Sequence, residues 1–245
     1  MSARDRLPVG LLISRRKLLS SKVNSLAVAG FILLLAFLWI EDSFSFSFRA
    51  FLYLHPFLSL LFSQDMMNDE ITSGVLENVL FAGGRFRDYI LMKSAFVAAA
   101  GLGVSLALFL GYALYGLAAC QLGFPDLDRF AVGVLVGVYY VAVAGFLSFF
   151  FRAGSNVLFL ILGQFLLFAG LLFTASERVG LIERLTSSAP QGINAQLEFL
   201  SVSSIFPNIV IARRSSLNVL GLMAMATLFF ALQVWKIRSL ELRKR

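Results

Sequence analysis

Side chains able to do acid–base or metal chemistry are scarce in this chain. His55 is the only histidine and Cys120 the only cysteine among 245 residues. One cysteine allows neither an internal disulfide nor a cysteine-based metal site, and one histidine rules out paired-histidine metal sites. No Gly-x-x-x-x-Gly-Lys-Ser/Thr phosphate loop occurs, so the chain is not expected to hydrolyse ATP. Asp65, Asp69, Glu70 and Glu77 concentrate in one polar stretch, without a metal-ligand arrangement. Three further polar groups stand inside apolar runs. Arg49 is a functional candidate by default, yet close enough to a membrane edge to snorkel. His55 either titrates near neutral pH or hydrogen-bonds a carbonyl freed by Pro56. Gln164 reads as a polar link between helices rather than a ligand for cargo.

The elements that position these groups are set by composition. The chain is 59% hydrophobic and only 14% charged, where a soluble domain carries about a quarter charged residues. Mean hydropathy is +0.84. Too few charges remain to cover a water-facing surface, so lipid is the expected solvent, and the basic residues form no face suited to nucleic acid. Six runs approach the length needed to cross a bilayer: Val23–Ile40, Phe44–Gln64, Ser94–Ala119, Phe130–Phe151, Asn156–Ala175 and Leu217–Trp235. The expected fold is therefore an all-α membrane protein, a six-helix transmembrane bundle forming a single domain over residues 1–245. The first run ends in Trp39-Ile40-Glu41-Asp42 without a small-x-small cleavage pattern, and so reads as a retained span.

Orientation follows from charge. With the N-terminus inside, 15 of the 21 basic residues fall on the inner side and 5 on the outer, Arg49 lying within a span. That bias places both termini in the cytoplasm, as expected for a multi-pass protein of the cell (inner, cytoplasmic) membrane. In the leader, residues 1–22, Leu11, Leu12, Leu18 and Leu19 recur at helical spacing around Arg15, Arg16 and Lys17, the pattern of an interfacial amphipathic helix. A basic tail occupies 236–245. Small residues recur four apart in the third run (Ala99, Gly103, Ala107, Gly111) and in the fourth (Gly133, Gly137, Gly145), and both stripes are expected to face neighbouring helices.

The cytoplasmic loop 65–93 carries its own helical pattern. Ile71, Val75 and Val79 fall four apart, Leu76 and Leu80 extend their face, acids precede them, and Gly83-Gly84 supplies a stop. Such a helix either connects two spans along the interface or docks in a groove on a partner. Its surroundings, His55-Pro56-Phe57-Leu58-Ser59-Leu60-Leu61, then Glu70, Gly74-Val75-Leu76-Glu77, Leu80, Ala82 and Lys93, resemble the permease subunits of ABC transporters of the second exporter type. Val75 stands where that family usually has Thr, and Gly83 where it has Pro.

The resemblance implies a transport subunit that pairs with a second permease copy, as a homodimer or heterodimer, and sits on a separate ATP-binding-cassette ATPase. ATP and Mg would then be bound by that partner, and no cofactor by this chain. The loop would be a cytoplasmic coupling helix, with Asp69, Glu70, Gly74, Leu76, Glu77, Leu80, Arg85 and Arg87 contacting the ATPase. The outer segment 176–216, with apolar stretches at Leu197–Leu200 and Ile205–Ile211, would hold either re-entrant helices or an ordinary amphipathic loop. Two rival functions remain: an integral membrane enzyme acting on lipids, and a structural or assembly subunit of a membrane complex. A Glu70→Cys chain in a Cys120→Ser background tests the orientation. An impermeant maleimide added to intact cells should leave residue 70 unlabelled and label an Arg184→Cys control; the reverse pattern defeats the assignment.

Overall fold

The computed structural model describes residues 22–64, 86–118, 124–151, 154–175, 202–212 and 215–243. These are helical, with no strand among them. The helices are α1 (Lys22–Glu41), α2 (Phe44–Leu54), α3 (Pro56–Phe62), α4 (Phe86–Ala118), α5 (Phe124–Leu147), α6 (Ser155–Ala175), the short α7 (Ile209–Ala212) and α8 (Ser216–Arg243). Four are long and apolar enough to cross a membrane, α1, α4, α5 and α8, so the chain carries the apolar helices of a multi-pass membrane protein. The second run forms the pair α2 and α3, bent by 44°. The fifth run lies within α6. Residues 1–21 of the leader, residues 65–85, the stretch Leu197–Leu200 and the last two residues of the tail lie outside the described residues.

The bend has a covalent cause. Pro56 has no N–H for the carbonyl of Leu52, and its ring clashes with that turn. Helix α2 therefore closes at His55, whose N–H still reaches the Phe51 carbonyl at 2.9 Å, and Pro56 opens α3. At its other end α2 is capped by Ser43, whose hydroxyl accepts from the Phe46 N–H.

Helix α5 is the axis of the bundle. Of its apolar stretch 67% is buried within the protein, against 28% in α4, 22% in α8 and 11% in α1. It carries two packed regions. Tyr139, Tyr140, Val136 and Val143 meet Leu60, Leu222, Val210 and Ile211 on one side. Phe130 joins Phe48, Phe51, Phe109 and Tyr112 on the other. One end of the bundle gathers the start of α1, the end of α3 and the start of α6, through Gln64 Nε2 to Asn24 Oδ1 (2.7 Å) and Asn156 Nδ2 to the Ser63 carbonyl (3.2 Å). There Lys236 of α8 also lies 5.1 Å from the Phe150 ring just beyond α5. The opposite end gathers Trp39, Phe44 and Tyr115, with Trp39 and Tyr115 ring centroids 4.8 Å apart.

The two small-residue stripes behave differently. Gly133, Gly137 and Gly145 are buried against neighbours as expected: a Cβ on Gly133 would collide with His55, one on Gly137 would stand 2.9 Å from Ser59 Oγ, and one on Gly145 2.9 Å from Gln233 Nε2. The stripe in α4 is corrected. Ala99, Gly103, Ala107 and Gly111 are exposed, and a Cβ on Gly103 or Gly111 would meet nothing within 4 Å. The tight approach is made by Gly101, whose Cβ would lie 2.8 Å from the Ser59 Cα, with Ser105 one turn on also buried. In lipid a small-residue stripe faces inward only where another backbone needs the room, and α3 needs it on the Gly101 face. Gly101→Val should therefore lower stability by about 1–3 kcal/mol through overpacking, while Gly103→Ala, two residues away, should not. Thermal melting of the purified chain in detergent checks the pair.

Candidate functional site

A broken helix in a membrane must find partners for its freed backbone groups. Here the carbonyl of Tyr53, in the last turn of α2, accepts from Asn208 Nδ2. The Asn208 Oδ1 in turn accepts from the Tyr140 hydroxyl, and that hydroxyl accepts from Gln164 Nε2 at 2.9 Å. A polar chain thus runs from the break in the second span, through the turn before α7 and the middle of α5, to α6. Tyr139 adds a parallel tie, its hydroxyl donating to the Ser204 carbonyl at 2.5 Å. All four side chains are almost fully enclosed.

These ties position residues 202–212. Residues 202–205 form one helical turn, Phe206-Pro207-Asn208 reverses the chain, and α7 follows. Val210 and Ile211 are completely buried against α5. Residues 202–212 thus pack against α5 at the level of the helix break. Neither Asn208 nor the Tyr139-Tyr140 pair is singled out by the sequence. The available signal was two adjacent tyrosines in mid-span, since buried hydroxyls in lipid require partners.

The three intramembrane candidates have different fates. Arg49 is exposed on α2, in the second turn from Ser43, as the snorkelling alternative requires. Gln164 is buried and links helices, and it also borders an apolar groove of about 390 Å³ with Phe57, Leu61 and Phe165. His55 Nε2 is buried and has no hydrogen-bond partner. The Tyr53 carbonyl beside the break is satisfied by Asn208. The imidazole packs between Phe51 and Phe130, with ring centroids 5.3 and 4.9 Å away.

Of the expected coupling residues, Asp69, Glu70, Gly74, Leu76, Glu77, Leu80 and Arg85 lie outside the described residues, and Arg87 falls in the first turn of α4. Their flanks are described. Ser63 and Gln64, closing α3, are held by Asn156, Asn24 and the Gly154 N–H, and Lys93 is buried in α4. Among the described residues no group of three or more His, Cys, Asp or Glu could hold a metal ion.

Comparison with protein-family models, curated proteins and solved structures gave no match for this chain. What its polar groups do is thus argued from their geometry. Removing the Tyr140 hydroxyl leaves both Asn208 Oδ1 and Gln164 Nε2 unpaired. Tyr140→Phe should cost about 1–2 kcal/mol, within the range for interhelical hydrogen bonds in membranes. Gln164→Leu should cost less, since it strips only one end of the chain. Denaturation of the two variants in detergent checks the order.

Proposed function

We propose that the chain is the permease subunit of an ATP-driven exporter, moving a substrate across the membrane with energy from a separate ATPase. In this reading the six runs are six spans with both termini in the cytoplasm. A second permease copy completes the pathway, and residues 65–85 form the coupling helix. ATP and Mg belong to the partner.

One observation carries the reading beyond sequence resemblance. The two helices that flank residues 65–85 are packed as a unit. Helix α3 lies against α4 at Gly101 and against α5 at Gly137, both without room for a Cβ. The end of α3 is pinned by Asn156 and Asn24. A push on the segment between α3 and α4 would move both together with α5, the axis of the bundle. The 44° break at His55 marks where that inner unit can turn against α2. The segment also leaves the bundle at the end shared with Asn24 and Lys236, as a cytoplasmic loop beside two basic termini must.

Purification of the chain from its native membrane in mild detergent should retain a soluble ATP-binding-cassette subunit and ATPase activity. Glu70→Arg should lower that stimulated activity about tenfold, the equivalent of about 1.4 kcal/mol at the docking contact, while leaving the melting temperature unchanged. A chain that purifies without any ATPase defeats the transport reading and favours a structural subunit. Hydrolysis or transfer of lipid groups by the lone chain favours the enzyme.

A further inference from the structure

Helices α4 and α5, with His55 and Ser59 at the break and in α3, line a cleft of about 260 Å³. The rim and the floor differ sharply. Ala99 and Leu102 on the rim are exposed, whereas His55, Ser59 and Ser105 on the floor are 1%, 6% and 2% exposed. The cleft sits near the middle of the apolar stretches of its three walls. It therefore opens toward hydrocarbon, too deep for a lipid headgroup to reach.

His55 is the unexplained group. Phe44, Phe48 and Phe51 form a ladder of rings along α2, and Phe130 meets its lower end. A phenylalanine at position 55 would extend that ladder without any polar atom to satisfy. Instead an imidazole is present, its Nε2 buried and unpaired in surroundings where such an atom is costly. Gly133, against which Nε2 lies, is itself part of the cleft wall. A polar atom kept at such cost, beside a cavity with two hydroxyls on its floor, is a place where local rules are broken for function.

We propose that this cleft binds an apolar molecule bearing one hydroxyl or equivalent hydrogen-bonding group, anchored at His55, with its hydrocarbon body passing between Ala99 and Leu102 into the lipid. Small apolar walls with a few convergent polar groups are the usual make-up of such sites. The neutral imidazole exchanges one hydrogen bond with the hydroxyl, and Ser59 and Ser105 supply further donors and acceptors. The site stands whether or not the chain is a transport subunit.

The test uses the full chain in lipid nanodiscs with two photoactivatable probes, a long-chain fatty alcohol and the matching alkane, each carrying a diazirine. Labelling of peptides containing Ala98–Ser105 and Gly133–Val138 is normalised to labelling of α1, whose Leu26 and Ile40 are exposed to lipid. The alcohol should label the cleft more strongly than the alkane, and unlabelled alcohol should compete. His55→Phe should reduce the excess roughly three- to tenfold, the value of one hydrogen bond, and His55→Gln should retain part of it. Ala99→Phe, on the exposed rim, should block both probes without altering the fold. Equal labelling by alcohol and alkane, or an unchanged excess in His55→Phe, overturns the proposal and leaves a crevice filled by bulk lipid.

Discussion

In hydrocarbon a backbone carbonyl without a donor has no water to turn to. A proline in mid-span creates that predicament, and much of this bundle is arranged around it. Pro56 breaks the second apolar run, Asn208 covers the Tyr53 carbonyl, Tyr140 holds Asn208, and Gln164 holds Tyr140. A segment from beyond the fifth run is thereby drawn into the bundle, burying Val210 and Ile211 against α5. The repair is tertiary: groups far apart in the chain supply a donor to the Tyr53 carbonyl beside the break.

The same break governs packing. Once turned by 44°, α3 lies close against α4 and α5. Close approach is possible only where side chains are absent, which accounts for Gly101, Gly133 and Gly137. Van der Waals contact and polar links then do in lipid what burial from water does in a soluble core. Tight seating of α3 is also what would let force applied to its end spread through the bundle instead of being lost in bending.

Much of this was legible from residue types and their order. The six apolar runs fall in helical segments, four of them long and apolar enough to cross a membrane, because length and hydropathy dominate when lipid is the solvent. The break at His55-Pro56 was legible from proline geometry, and Gly133, Gly137 and Gly145 from their spacing. The inward face of α4 was not, since two overlapping sets of small residues compete there and only the position of α3 chooses Gly101 over Gly103. The polar chain was invisible for a related reason. Tyr140, Gln164 and Asn208 are separated by tens of residues, and only the fold makes them neighbours. The unpaired state of His55 likewise depends on the fold, which sets its Nε2 against Gly133.

The short link between the first two helices bears on how the protein is made. Only Asp42 and Ser43 separate α1 from α2, and Ser47 already reaches the Leu35 carbonyl across that hairpin at 2.7 Å. Helix α2 is a poor candidate to enter a membrane alone, being interrupted by proline and carrying Arg49. Helix α1 is uninterrupted and uncharged through its middle, yet nearly all of its surface faces outward in the finished bundle. Preceding α2 in the chain, it can carry its weaker neighbour into the bilayer as an antiparallel pair. The later helices then find α2 already in place, with its aromatic side waiting to be covered.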